Sequence, residues 1–248
     1  VYGGDGTVAE VASGLIGREV PLAIFPGGTA NVMSFELGIP RDLAAACALI
    51  DDQASVTRAV DMGQVRGDGG RHFLLRVGIG FEAEMVEGAD RSRKEKLGTL
   101  AYGLAALQAL REPPIARYTV TLDGREISTE GITCIVANSG SFGRSGLTLA
   151  PAIDVGDGLL DVIVIRKGDL ASLLSVAASV LTSQQTAEPL QRWQAREVTV
   201  VAKPPQPVTV DGEMAGETPI TARVIPQAVR VIVPTESGAT PRQRVVTR

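Results

Sequence analysis

Hydrophobic and polar positions follow one pattern before about residue 58 and another after it. Val1-Tyr2 reads as the end of a strand, followed by the glycine turn Gly3-Gly4-Asp5-Gly6-Thr7 and a helix over Val8–Leu15. Pro21–Phe25 is a short continuous apolar run, the pattern of a strand buried on both faces. A second glycine turn, Pro26-Gly27-Gly28-Thr29-Ala30-Asn31, leads into helical segments at Val32–Leu37 and Leu43–Asp51. Strand, turn and helix repeated in this order predict an α/β unit with a parallel sheet.

Beyond Arg58 the pattern becomes short runs of β type. They cover Ala59–Arg66, His72–Val77, Tyr118–Leu122, Arg125–Ser128, Thr133–Ala137, Leu160–Ile165, Val198–Ala202, Val208–Val210 and Val229–Val233. Asp68-Gly69, Asp123-Gly124 and Asp211-Gly212 punctuate them as hairpin turns. Helical patterns interrupt at Leu97–Arg111 and Leu170–Leu181. The expected organisation is a partial α/β nucleotide-binding domain over residues 1–57 and a larger antiparallel β-rich domain over 58–234. A loose tail is expected at 235–248.

Composition narrows the chemistry. Hydrophobic residues make up 44% and charged residues 21% of the 248, so the chain can bury a core. A formal charge of −4 lacks the basic footprint of a nucleic-acid binder. Cys47 and Cys134 lie in apolar contexts and read as buried thiols, not a disulfide or metal pair. His72, the single histidine, reads as a strand residue, so acid–base chemistry falls to carboxylates. No stretch reaches the ~18–20 apolar residues of a membrane span. The opening on Val1 without methionine, directly before a motif, reads as an N-terminal truncation and leaves a targeting segment undecided.

The first glycine turn opens a helix. Thr7 and Glu10 fit a capping box, which would place free backbone donors beside the glycines. Such a terminus receives phosphate, and it also serves as a plain tight turn. The second turn comes after the next strand, where ligands of open α/β sheets bind, and the two together point to a phosphate or nucleotide site. No Walker lysine succeeds either turn, and no dinucleotide fingerprint is present.

Three groupings of charged residues stand out. Asp154 and Asp157, three apart around a glycine, suit a hard cation such as Mg²⁺ or simply an Asp-rich turn. Asp211, with Glu213 two residues on, could take a hydroxyl proton, yet Thr121-Leu-Asp123-Gly-Arg-Glu126 looks almost the same and both read as hairpins. Arg91, Arg93, Lys94 and Lys96 form a solvated helix lead-in or a contact for anionic headgroups or phosphate.

In order, Gly3–Thr7, Pro26–Asn31, Gly78-Ile-Gly-Phe81, Lys96–Tyr102, Ala150-Pro-Ala…Asp157-Gly-Leu-Leu-Asp-Val162 and Val210-Asp-Gly-Glu213 resemble the diacylglycerol kinase catalytic family of lipid kinases. The resemblance implies an NAD kinase/diacylglycerol kinase-like fold: an α/β nucleotide-binding domain, then an antiparallel β-sandwich, with the active site in the cleft between them. It implies ATP as cofactor, held by Gly3, Gly4, Asp5, Gly6, Thr7, Gly28, Thr29 and Asn31, with Lys96 as a further phosphate contact. It implies Asp211 as general base with Glu213 beside it, and a Mg²⁺ site from Asp154, Asp157 and the Leu160 carbonyl. The expected partners are ATP and a lipid at a membrane surface, with no nucleic acid, and a homodimer is left open. The expected location is cytoplasmic and peripherally membrane-associated. Two departures are visible: the family's earlier β–α units are missing ahead of Val1, and Arg76 and Glu82 stand where relatives more often have Asn and Asp. Two rivals carry expectations of their own. An NAD kinase-like enzyme would share Gly-Gly-Asp-Gly but carry an Asn-Glu pair, which this chain lacks. A non-catalytic nucleotide- or lipid-binding module would bind without turnover.

Overall fold

The computed structural model describes residues 1–51, 55–67, 70–81, 83, 115–141, 149, 153–166 and 191–235. The helices expected at Leu97–Arg111 and Leu170–Leu181, the Asp68-Gly69 turn, Lys96 with the basic cluster, and the tail beyond 235 lie outside them. The chain divides into two compact units. The first holds residues 1–62, 139–157 and 226–248, and the second holds 63–138 and 158–225. The α/β unit therefore takes in two segments from later in the chain.

In the first unit, β1 (Tyr2–Gly3) feeds α1 (Asp5–Gly14), and β3 (Phe25–Pro26) feeds α2 (Val32–Glu36). β1 and β3 pair in parallel, with Tyr2 opposite Phe25 and Gly3 opposite Pro26. Both glycine turns therefore leave the same end of one small parallel sheet. α1 buries Val8 and Ala12, and α2 buries Val32 and Met33. Three expectations need correction here. The run Pro21–Phe25 is not one strand: β2 (Pro21–Leu22) pairs instead with Arg230–Val231, and only Phe25–Pro26 joins β1. Helix α1 starts at Asp5 with Gly4 as N-cap and no side-chain cap, so the Thr7–Glu10 box does not form. The end of β1 sets that start, and Thr7 falls inside the first turn. Cys47 is exposed, because the six-residue α3 (Leu43–Ala48) buries only Ala46.

The second unit is a two-sheet antiparallel sandwich. Its first sheet runs β11 (Gln191–Ala195), β10 (Leu160–Ile165), β9 (Thr133–Ala137), β6 (Arg76–Gly80), β13 (Pro207–Val210), β14 (Glu213–Glu217). Its second runs β5 (His72–Phe73), β4 (Ser55–Arg66), β15 (Ile220–Pro234), β12 (Glu197–Lys203), β7 (Ala116–Leu122), β8 (Arg125–Gly131). β4 and β15 continue along the chain into the first unit. Alternate residues of β7 (Ala116, Tyr118, Val120, Leu122) and β12 (Val198, Val200, Ala202) point into one core. They meet Val77, Ile79, Cys134, Val136, Val162, Val208 and Val210 from the first sheet, which is sandwich packing. β9 and β10 are buried at every position, so they read as unbroken apolar runs. Cys134 is buried as expected.

Gly63 is a glycine because of its neighbour across the sheet. It lies opposite Phe73, and a Cβ at Gly63 would come within 1.9 Å of the Phe73 ring, itself wholly buried. The ring occupies the space a side chain would need.

Candidate active site

The two glycine turns touch. A Cβ on Gly28 would lie 2.5 Å from the Gly4 Cα, and one on Gly4 would lie 3.3 Å from the Gly28 Cα. Glycine is required by close approach, not by an unusual φ. The first intrahelical bond of α1 runs from the Val8 amide to the Gly4 carbonyl, 3.0 Å. The amides of Asp5, Gly6 and Thr7 precede it and have no helical acceptor, which is the donor set that receives an anion. Gly6, Thr7, Gly28 and Thr29 are exposed at this face.

Asp5 and Asn31 do different work. Asp5 Oδ1 accepts from the Met33 amide at 3.1 Å, so this carboxylate caps α2 and ties the two turns together. Asn31 has φ 51°, and its amide closes a ring on Gly28: Oδ1 accepts from the Gly28 amide and Nδ2 donates to the Gly28 carbonyl, both 2.8 Å. An asparagine tolerates this backbone better than most residues and here shapes the turn.

In the second unit Asp211 sits at the β13–β14 turn with φ 48°, followed by Gly212 at φ 82°. Its carboxylate accepts three backbone amides: Leu74 at 2.9 Å on Oδ2, and Leu75 at 2.9 Å and Arg76 at 3.0 Å on Oδ1. Its own amide donates to the Arg76 carbonyl at 3.0 Å. Asn138 holds the same segment from the other side, its amide on the Leu75 carbonyl and its Nδ2 on the Leu74 carbonyl, both 2.8 Å. Burial pushes the Asp211 carboxyl above the usual carboxylate range; the bonds from Leu74, Arg76 and Leu75 and the Arg76 charge oppose this.

Glu213 starts β14, directly across from Val210, and pairs with Arg71, whose Nη2 also lies 3.4 Å from the Val210 carbonyl. His72 is a strand residue of β5, as expected. Burial, then the Arg223 charge, lowers it below the usual histidine value, and its Nε2 lies 3.2 Å from Gln64 Nε2.

Asp154 lies in the first unit and accepts from the Arg58 guanidinium and, at 3.0 Å, from the Gly156 amide. Asp157 lies in the bend that follows. Leu160 opens β10 in the second unit with its side chain wholly buried. Among the described residues no group of three or more His, Cys, Asp or Glu side chains converges as a metal cluster.

Asn138, Arg71 and the amides of 74–76 were missed by sequence reasoning. They act through backbone geometry or through partners far along the chain, and no local pattern marks them.

The comparisons with known proteins cover both halves of this arrangement. The diacylglycerol kinase catalytic domain matches residues 1–65, and the YegS C-terminal NAD kinase beta sandwich-like domain matches residues 76–233. A diacylglycerol kinase of Bacillus subtilis is 30% identical, with 95% of this chain and 77% of that protein covered. The chain belongs to the diacylglycerol kinase family. This lipid kinase is also 29% identical to a diacylglycerol kinase of Mycobacterium tuberculosis, covering 94% of the chain and 76% of the relative. It is 34% identical to an uncharacterized protein of Synechocystis over 95% of the chain, and spans 54% of that relative's length. The crystal structure of a diacylglycerol kinase from Bacillus anthracis superposes with a TM-score of 0.73 at 27% identity, over 96% of this chain and 77% of that one. The α/β-plus-sandwich fold that the resemblance implied is the family's fold, and a kinase family implies ATP as phosphoryl donor.

Proposed function

We propose that this kinase transfers the γ-phosphoryl group of ATP to a hydroxyl of a diacylglycerol-like lipid, with Asp211 as general base. The observation that carries the reading is the Asp211 cradle. A carboxylate offers about four acceptor sites. The bonds to Leu74, Leu75 and Arg76 fill three of them and leave Oδ2 able to accept a proton. Three amides hold it in one orientation, and burial makes it a stronger base than an exposed aspartate.

The nucleotide belongs at the glycine turns. The amides of Asp5, Gly6 and Thr7 and the hydroxyls of Thr7 and Thr29 meet the phosphates, and Gly3, Gly4 and Gly28 let them approach. Asp5 and Asn31 serve by holding the turns together. Lys96 is a further phosphate contact.

Phosphoryl transfer uses Mg²⁺ to neutralise phosphate charge. Asp154, Asp157 and the Leu160 carbonyl are hard oxygen donors of the right class, and Asp154 already faces a cation in Arg58. Mg²⁺ there would compete with the guanidinium.

No helix among the described residues is long and apolar enough to cross a membrane. The proposed route to a lipid acceptor is peripheral contact at the cytoplasmic face, for which the Arg91–Lys96 cluster is the candidate because clustered Lys and Arg are drawn to an anionic surface.

The test is Asp211→Asn in the natural protein, with transfer of radiolabelled phosphate from ATP to diacylglycerol in mixed micelles. A loss of roughly 10²–10⁴-fold in kcat is expected for a positioned base. Activity within a few-fold of wild type removes Asp211 from the reaction. NAD offered as acceptor in place of the lipid separates this reading from an NAD kinase, and turnover separates it from a binding module.

A further inference from the structure

Arg71 stands at the lip of the Asp211 turn, and the proposed phosphoryl transfer makes no use of it. Its backbone is fixed: its carbonyl accepts from the Val65 amide at 2.8 Å. Its guanidinium bridges the Glu213 carboxylate and the Val210 carbonyl, so one side chain spans both arms of the β13–β14 turn.

The molecule contains its own control. Asp123, at the β7–β8 turn, has the same left-handed backbone with φ 47° and the same following glycine. Its carboxylate accepts the amides of Arg196 and Glu197, and its own amide donates to the Glu197 carbonyl. The aspartate cradle is therefore a general way to build this turn. What the Asp211 turn adds is burial and the Arg71–Glu213 pair; at the equivalent of Glu213 the other turn has Arg125.

Among the described residues, the charged side chains around Asp211 are Arg76 on β6, Arg71 ahead of β5 and Glu213 on β14. A guanidinium that reached the Asp211 carboxylate would form a strong charge-assisted pair. It would hold the group as an anion and weaken it as a base. Glu213 gives Arg71 another anion to bind.

We propose that Glu213 and Arg71 act as one positioning unit: Glu213 holds the Arg71 guanidinium off the Asp211 carboxylate, and Arg71, so held, fixes both arms of the turn. This rests on Asp211 being the base and assigns Glu213 a role other than that of a second base.

The test compares kcat against pH for wild type, Glu213→Gln, Arg71→Met and the double variant in the natural protein, with melting curves to confirm folding. Glu213→Gln loses about 100-fold in kcat, within the range a positioned base supplies. Its acidic limb moves to lower pH, while KM for ATP is unchanged. Arg71→Met alone loses about tenfold, a smaller share of the same base contribution. The double variant recovers to the Arg71→Met level, with its acidic limb restored. A double variant no better than Glu213→Gln overturns the proposal, as does Arg71→Met at wild-type activity. If Arg71→Met does not fold, Arg71→Gln replaces it in the same cycle. Asp211→Asn run alongside separates the two readings. If it is inactive and the double shows no recovery, only the coupling fails; if it is active, the base assignment fails first.

Discussion

Two turns in the sandwich unit are built alike and placed differently. The β7–β8 and β13–β14 turns share an Asp-Gly pair at positive φ, a carboxylate on neighbouring amides, and a return bond from the aspartate's own amide. Asp123 faces solvent. Asp211 is packed against residues 74–76 and lifted above the usual carboxylate range. The comparison separates what holds a turn from what raises a carboxyl's affinity for its proton: hydrogen bonds alone serve the first, and the second also requires partial withdrawal from water.

The largest effect that could break this comparison is functional. Asp211→Asn should lower kcat roughly 10²–10⁴-fold, whereas Asp123→Asn should leave kcat within a few-fold and lower Tm only. Equal losses of activity would mean that the turns differ less than their burial indicates. The next effect should be equal at both sites. Gly212 and Gly124 have φ of 82° and 87° with open space around them, so alanine is strained at either without a clash. Gly212→Ala and Gly124→Ala should each cost about 1–2 kcal/mol in urea melts.

A smaller effect comes from protonation. A carboxyl whose folded value lies above its unfolded one binds its proton more tightly when folded. Its contribution therefore favours folding fully below the unfolded value of about 3.9 and is lost as pH rises through the folded value. Wild type should gain stability through Asp211 as pH falls across that window. Asp211→Asn should lose this component, which a pH series of denaturant melts would reveal. Smallest of all is the Arg66–Glu197 pair beside the Asp123 turn. Both side chains are about half exposed, so Arg66→Ala should cost no more than about 0.5 kcal/mol.

These contrasts also mark what was legible beforehand. Thr209-Val-Asp-Gly-Glu and Thr121-Leu-Asp-Gly-Arg both announce a hairpin, and both form one, because turn chemistry is local. The difference between them comes from residues 71–76, far away in the chain, and no local window contains it. The glycine turns were legible for the same reason that Asp-Gly was. The start of α1 was not, since pairing of β1 with β3 moved it to Asp5. β14 is exposed at all five positions and offers no alternation to read. The split of Pro21–Phe25 was hidden too, because an apolar run does not state which strand it will join.

The Phe73 ring lying over Gly63 has a consequence for genetics. Phe73 immediately precedes the amides that hold Asp211, and its ring has nowhere to go when residue 63 gains a side chain. A substitution at Gly63 would push the ring and carry those amides with it. In a mutational scan scored by product formed, residue 63 would rank among the reacting groups, although it carries no functional group at all.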